Sequence, residues 1–427
     1  MRRLFRRLEL LLIATVLAIA AFSTGLPFLF YLVYLAIFVV GGSYVLTRLG
    51  LSDLEAGYSV SQLSGHVGDR LQVTYTVRNT SRMPKPWLEI HNPTSLPAGL
   101  PGRAIGLGAM SERSWLVRTP LTRRGHFRIE PLQIQTGDPF GLFRSSAAVG
   151  SGVTAVVYPR VDPLPLWSLP PANVDGSRAM PDRTLQTSPL ATTVRPWAPG
   201  DAFNRIHWKS TARHGEIQVK EFELEQTADA WIILDLEQAS QLGLGDDSTI
   251  EVGVRAAASV ADKAIAENRA VGLTVNAHRL GQVPPDRGGR QRLKVMQLLA
   301  AVEGDGGSPL SEALISTIPR IRRGTTVVII TPSLSPDWVR PLVGLRSRGV
   351  GCVAVTFDLA SFDQVTRGEA SRSDEAPPPA SSDASTDDRE GAEVTRRTRE
   401  LGHALAEFGI GAHTLVPGVP LGNLLAR

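Results

Sequence analysis

Between Val194 and Glu225 the chain reads VRPWAPGDAFNRIHWKSTARHGEIQVKEFELE, where cationic and aromatic side chains alternate at close spacing. Arg195, Arg205, Lys209, Arg213 and Lys220 are interleaved with Trp197, Phe203, Trp208 and Phe222. Arginine presents several donors in a rigid fork, so it can grip a carboxylate or several loop carbonyls at once. Asp201 is the nearest carboxylate in a turn that could receive one. Pro199-Gly200-Asp201 has turn chemistry: Pro fixes φ, Gly allows positive φ and Asp can bond the following backbone. His214-Gly215 marks a second turn. Ile217 and Val219 then alternate with polar residues before the apolar phase moves to Phe222 and Leu224, as in a strand with a bulge. Two roles compete for this stretch. One is a structural clasp in which Arg and Trp side chains tie a loop to a sheet. The other is a recognition surface, since Trp and Arg are favoured interface anchors. Catalysis needs a nucleophile, a base and an orienting group together, and only His207 and His214 with scattered carboxylates are present.

The elements around the stretch follow from hydrophobic pattern. After it, from Ala230, strands and helices alternate. Trp231–Leu234, Val271–Asn276, Thr325–Ile330 and Gly351–Phe357 are apolar runs suited to parallel strands covered on both faces. Ser248-x-x-Glu251 is a capping box for a helix with Ile250, Val254, Ala257, Ala261 and Ile265 on one stripe. Ser308-Pro309 and Ser335-Pro336 each read as an N-cap followed by Pro at the first helical position. Ala412–Val416 is a last strand. The alternation predicts a doubly wound α/β sheet. Residues 366–391, rich in Ser, Ala, Pro and Asp, read as a disordered insertion in it.

Before the stretch, residues 162–193 show neither period and read as a linker draped over the surface. Residues 51–161 have the period of strands. Leu71, Val73, Tyr75 and Val77 alternate with polar residues, and short candidates follow at Trp87–Ile90, Ser114–Arg118, Phe127–Ile129, Leu132–Gln135 and Val153–Tyr158. With turn residues between them, they predict an all-β immunoglobulin-like sandwich. Asp138-Pro139-Phe140-Gly141-Leu142-Phe143 reads as a turn whose two Phe side chains plug a hydrophobic gap.

Residues 1–50 read as a transmembrane hairpin. Leu10–Phe22 is apolar apart from Thr15, Ser23-Thr24-Gly25 makes a turn, and Leu26–Leu46 carries no charge over about 20 residues, enough to span a bilayer. The basic start and the small-residue triplet Ala18-Ile19-Ala20 also fit a signal peptide. Arg2, Arg3, Arg6, Arg7 and Arg48 place both ends of the hairpin in the cytoplasm; cleavage after Ala20 would leave the new N-terminus outside, and the second span would still return the chain inside. A multi-pass plasma-membrane protein with cytoplasmic soluble domains is expected.

Composition excludes some classes. The chain has 427 residues, with 45 Lys and Arg against 41 Asp and Glu, too balanced for a nucleic-acid binder. Cys352 is the single cysteine, so neither an intrachain disulfide nor a multi-Cys metal site can form. Its apolar neighbours suit a buried, inert thiol.

The run Arg195, Pro199-Gly200-Asp201, Arg205-Ile206-His207-Trp208, Ala212-Arg213, Gly215 and Val219-Lys220-Glu221-Phe222-Glu223 resembles the signature of the bacterial domain-of-unknown-function 58 family. Arg123-Arg124-Gly125-His126-Phe127, the Asp138–Phe143 turn and Val157-Tyr158-Pro159-Arg160 extend the likeness. His207 departs from it, an acidic residue being usual there. The resemblance implies a membrane protein linked to a MoxR-type AAA+ ATPase, with a von Willebrand factor A-like α/β domain across 194–427. It marks Arg195, Gly200, Asp201, Arg205, Trp208, Arg213, Gly215, Lys220 and Glu221 as structural or docking residues.

In a von Willebrand factor A domain, Mg²⁺ can be held by an Asp-x-Ser-x-Ser turn after the first strand, a later Thr and a further Asp. Here that turn is Asp235-Leu236-Glu237-Gln238-Ala239, in which Glu237 and Ala239 replace both serines. Ser308 could stand in for the Thr, and Pro332 follows Thr331 where the Asp would fall. Asp235, Glu237 and Ser308 are therefore a degenerate set, Mg²⁺ is not expected to bind, and no other cofactor motif is present. The reading that results is a non-enzymatic, membrane-anchored interaction or scaffold protein, working with a MoxR-type ATPase in assembly or maturation of an envelope-associated complex. The rival is a membrane-associated hydrolase using the Arg/Asp/His-rich motif at 195–223.

Overall fold

The computed structural model describes residues 2–169, 193–199, 201, 203, 206–221, 229–370 and 384–425. Two compact units divide the chain, Met1–Arg160 and Val161–Arg427.

The first unit opens with helices α1 (Arg2–Thr24) and α2 (Pro27–Gly50), joined through Gly25 at φ +68, a left-handed conformation that glycine adopts freely. Among the described residues, α2 is the one helix both long and apolar enough to cross a membrane; Leu12–Thr24 is a shorter apolar helix. Ten strands follow: β1 (Leu54–Val60), β2 (Ser64–His66), β3 (Arg70–Asn79), β4 (Lys85–His91), β5 (Arg103–Leu107), β6 (Glu112–Pro120), β7 (Gly125–Ile129), β8 (Leu132–Gly137), β9 (Arg144–Val149) and β10 (Val153–Tyr158). They form sheets ordered β1-β3-β6, β2-β10-β7 and β5-β4-β8-β9. Pairing is antiparallel apart from β2 on β10. Leu71, Val73, Tyr75 and Val77 of β3 point inward, as alternation requires. They join Leu88, Ile90, Ile129, Leu132 and Ile134 in one core. Each strand expected here is present. β1, β2, β5 and β9 add to them; β9 reads Arg-Ser-Ser-Ala-Ala-Val and has no apolar run to announce it.

Helix α2 is seated on this β structure. A Cβ on Gly50 would stand 2.7 Å from Thr136 Cγ2, so only glycine lets the helix end lie this close. Lys85 is buried and donates from Nζ to the carbonyl of Leu49, one of the acceptors that a helix C-terminus leaves unpaired. Burial lowers its pKa. The Asp138–Phe143 turn corrects an expectation: Phe143 meets Tyr44 of α2 edge-on at 5.7 Å, whereas Phe140 is 60% exposed. One phenylalanine plugs a gap and the other does not.

In the second unit, β11 (Thr193–Pro196), α3 (Trp208–His214) and β12 (Gln218–Glu221) precede β13 (Asp229–Asp235), α4 (Thr249–Ala266), β14 (Val271–Asn276), β15 (Leu280–Asp286), α5 (Gly289–Ala301), α6 (Leu310–Thr317), β16 (Thr325–Ile330), α7 (Val339–Ser347), β17 (Gly351–Phe357), α8 (Leu359–Ala370), α9 (Ala384–Glu407), β18 (Gly411–Leu415) and α10 (Leu421–Leu424). A six-stranded sheet has the order β15-β14-β13-β16-β17-β18. It is parallel except for β15, which pairs antiparallel with β14. Both faces are covered. Trp231, Ile233, Val327 and Ile329 pack with Leu314, Leu342 and Leu405 from α6, α7 and α9. Leu234 and Ile330, pointing the other way, lie against Gly253 of α4. Ser248 caps α4 as expected, accepting from the Glu251 N–H at 3.3 Å.

Three expectations change. The start of the presumed linker is packed: Leu164, Trp167 and Leu169 are buried, and Asp162 pairs with Arg255 at 3.4 Å. Residues 170–192 lie outside the described residues. The presumed insertion at 366–391 is entered from both sides by helix, since α8 runs to Ala370 and α9 begins at Ala384; residues 371–383 lie outside the described residues. Helix α6 starts one residue later than read, with Pro309 rather than Ser308 at its N-cap.

Asn79, fully buried at the end of β3, ties three segments of the first unit. Its Nδ2 donates to Met83 O at 2.8 Å and Gly108 O at 2.7 Å, and its Oδ1 accepts from the Ser81 N–H at 3.1 Å. Asn79→Ala strands those groups and is expected to destabilise the protein by about 1–3 kcal/mol. Urea denaturation of the detergent-solubilised chain checks this; an unchanged midpoint would refute the assignment.

Candidate functional site

The residues that drew attention in the sequence fall into two places of the second unit. The first is a ribbon. β11 and β12 pair antiparallel, Thr193 with Glu221 through Pro196 with Gln218, and form a two-stranded sheet of their own. Arg195 and Asp201 close the loop between them with two parallel hydrogen bonds, Nη1 to Oδ2 at 2.8 Å and Nη2 to Oδ1 at 2.7 Å. This fork-to-carboxylate geometry is the strong form of an ion pair. Asp201 Oδ2 also accepts from the Ala198 N–H at 2.9 Å, three residues before it rather than in the backbone that follows.

The return segment contains a short helix that the sequence did not announce. His207 is the N-cap of α3: its Nδ1 accepts from the Ser210 N–H at 3.2 Å and lies 2.7 Å from Ser210 Oγ. Gly215, at φ +76, ends the helix in the left-handed C-cap conformation. Thr211 Oγ1 accepts from the Gln218 N–H at 3.0 Å, and Ile206 bridges to Val219, both buried. No residue of α3 is buried. The clasp reading has Trp side chains tie the loop to a sheet; Trp208 is instead 70% exposed, with Phe203 75% exposed and Lys209 and Arg213 on the surface. Gly200 and Arg205 lie outside the described residues, as do the side chains of Lys220 and Glu221. Neither histidine is drawn to Asp201. His214 Nδ1 lies 3.1 Å from the Ser210 carbonyl, and among the described residues no carboxylate bonds His207.

The second place is the carboxyl end of β13, between β14 and β16, where the strand order reverses. Sheets of this kind bind ligands at such a position. Asp235 is 1% exposed. Its Oδ2 accepts from Thr331 Oγ1 at 2.7 Å, and its Oδ1 from Asn276 Nδ2 at 3.0 Å and the Glu237 N–H at 3.2 Å. Asn276 Nδ2 also donates to the Ser308 carbonyl at 2.9 Å. Ser308 thus contributes its backbone, and Thr331 supplies the hydroxyl. Glu237 accepts from Ser240 Oγ at 3.2 Å. Gly306 closes the floor, donating to Leu236 O at 2.9 Å and accepting from the Gln238 N–H at 2.8 Å. A hard cation asks for several oxygen acceptors around it; the Asp235 carboxylate is surrounded by donors instead. Burial raises the Asp235 pKa against the lowering effect of these bonds. Burial, then the charge of Asp235, raises that of Glu237. Sequence reasoning named Asp235 but missed Asn276 and Thr331; the only signal was a polar residue at the end of each apolar strand.

With this geometry in hand, relatives can be placed beside it. Residues 193–358 match the model of the family described as "Protein of unknown function DUF58", and that segment belongs to the family. An uncharacterized protein of Bacillus subtilis, YeaD, is 26% identical over 373 residues, which cover 84% of this chain and 89% of that protein. An uncharacterized protein of Mycobacterium tuberculosis is 29% identical over 164 residues, covering 36% of this chain and 50% of the relative, so this chain spans about half of its length. Among solved structures, the CARDB domain of the PF1109 protein from Pyrococcus furiosus is 14% identical, covering 25% of this chain and 92% of that one at a TM-score of 0.19. Proximal thread matrix protein 1 from the mussel byssus is 11% identical, covering 30% and 38% at a TM-score of 0.25. Scores this low carry no argument.

The Asp235 node makes a pH-dependent prediction. A carboxyl whose folded pKa is raised stabilises the fold fully below its unfolded value, and that contribution is lost as pH rises through the folded value. The contribution of Asp235 should therefore decline as pH rises from the ordinary carboxylate range upward. Asp235→Asn should gain stability relative to the wild type over that window, and Asp235→Ala should cost about 1–3 kcal/mol by stranding buried donors. Urea unfolding across pH tests both; an Asp235→Asn variant that loses stability relative to the wild type as pH rises would overturn the assignment.

Proposed function

We propose that this chain is a membrane-anchored interaction protein and that the ribbon from Val194 to Glu221 is its docking surface for a partner protein. The observation that carries the reading is the contrast within the ribbon. Its frame is fixed by the Arg195–Asp201 fork and the capped helix α3, while Trp208, Phe203, Lys209 and Arg213 face outward. Exposed aromatic and cationic side chains on a preorganised frame are what a binding anchor requires. The partner we propose is a MoxR-type AAA+ ATPase, on the family resemblance, acting in assembly or maturation of an envelope-associated complex. We take α1 and α2 as a transmembrane hairpin, with the arginines near its two ends holding both in the cytoplasm. The first unit reads as an immunoglobulin-like sandwich. The second reads as a von Willebrand factor A-like domain, supported by its strand order, its antiparallel edge strand β15 and a carboxylate at the end of β13. The hydrolase alternative has one feature in its favour, the contact between Ser210 Oγ and His207 Nδ1; helix capping accounts for that contact.

Trp208→Ala and Arg213→Ala should leave the melting temperature unchanged and abolish co-purification of the ATPase. Arg195→Ala should lower both. Retained co-purification in the first two variants would overturn the docking assignment. For orientation, alkaline phosphatase fused after Leu51 should be inactive, and an active fusion would place the soluble units on the other side of the membrane.

A further inference from the structure

The turn at Asp138–Phe143 combines features that no role so far explains. It is apolar at its tip, yet it lies outside the core of its own β structure. Leu142 and Phe143 line a groove of about 680 Å³ together with Ala14, Ala18, Ile37 and Gly41 from α1 and α2. Gly41 and Ile37 lie about 14 and 20 Å along the helix axis from Gly50, at 1.5 Å per residue. Arg48 is in the last turn of α2. The turn therefore reaches past the residue that marks the water boundary, toward the middle of the apolar helix. Phe140 at its tip is largely exposed, and so in part are Met83 and Trp87, which line the adjoining pocket around Leu49 and Lys85.

Hydrocarbon offers backbone N–H and C=O groups no partner, so a turn carried toward it must pair them within the protein. The N–H groups of this turn are paired. Asp138 Oδ1 accepts from the Phe143 N–H at 2.6 Å and Oδ2 from the Phe140 N–H at 2.9 Å. The Leu142 N–H also bonds the Asp138 side chain. The Gly141 N–H donates to Asp138 O at 3.1 Å, the Asp138 N–H to Phe143 O at 3.4 Å, and Pro139 has none. Asp138 itself is buried beneath the turn. The exposed apolar side chains of Phe140, Met83 and Trp87 suit apolar surroundings better than water.

We infer that the Asp138–Phe143 turn is a wedge that inserts into the same leaflet as the C-terminal half of α2, with Phe140, Trp87 and Met83 at the headgroup–acyl boundary. The occupant of this surface is the lipid bilayer. It is continuous with the exposed apolar side of α2, which Gly50, Lys85 and Phe143 fix against the β structure. The inference rests on the proposal that α2 spans the membrane.

The test uses the full-length chain in phosphatidylcholine vesicles, with an environment-sensitive fluorophore on Phe140→Cys or, separately, on Tyr34→Cys in α2. Native Cys352 is buried, its thiol pushed up to about 12, and it should stay unlabelled. Vesicles carry a doxyl quencher either near the carbonyl end or near the methyl end of the acyl chains. The Phe140 label should lose most of its emission to the shallow quencher, and the Tyr34 label to the deep one. If the Tyr34 label is quenched and the Phe140 label is not, α2 spans the bilayer and the wedge is wrong. A blue-shifted but unquenched Phe140 label would mean that protein covers the turn, which also overturns the inference. If neither label is quenched, the spanning helix itself is refuted.

Discussion

One buried carboxylate organises the carboxyl edge of the central sheet. Asp235 has no cation beside it among the described residues; it is held by a hydroxyl, an amide and a backbone N–H from three different segments. Each donor comes from a strand end or the loop after it, so the ends of β13, β14 and β16 are fixed relative to one another through a single side chain. A buried charge without such donors would be far too costly to keep. With them, the loops after the strands inherit one geometry. Gly306 can then pass so near that a Cβ would stand 2.7 Å from Leu236 O. This hydrogen-bonded node stands at the position where sheets of this kind open toward a ligand.

The ribbon uses polar contacts in the opposite way. Its ion pair is partly exposed, and its task is to hold a turn in shape rather than to support a core. Among the described residues of the ribbon, Ile206 and Val219 are buried and Trp197 is half-buried, while Phe203 and Trp208 are left outside. An isolated exposed aromatic is unremarkable in a folded protein. Trp208 beside Lys209 and Arg213 on a helix that buries no residue, with Phe203 exposed ahead of it, is not explained by packing.

How far these features were legible in the sequence depended on how local their causes are. β14, β16 and β17 were readable to the residue, because strands covered on both faces become unbroken apolar runs. β3 was equally clear from strict alternation. β15 was not: Leu-Gly-Gln-Val-Pro-Pro-Asp has little strand character, and only pairing with β14 makes it a strand. Helix α3 escaped because a periodic stripe exists only where one face is buried. Trp208 misled for the same reason, its type suggesting a core that its helix does not have. At the site, Arg195 and Asp201 could be paired in advance because they are six residues apart. Asn276 and Thr331 are 41 and 96 residues from Asp235, and only the fold brings them to it.

The outer strand β15 has a further consequence. Sheet edges carry free backbone groups that can template another chain, and proline on an edge is one of the means by which proteins blunt them. Pro284 and Pro285 stand side by side in β15, so two successive positions offer no N–H. The Pro284 carbonyl is already taken by Gln291 Nε2 at 2.8 Å. A second copy approaching this side finds the ladder interrupted and cannot extend it. Molecules of this chain can therefore be crowded together, at high local concentration, without their sheets fusing along this edge.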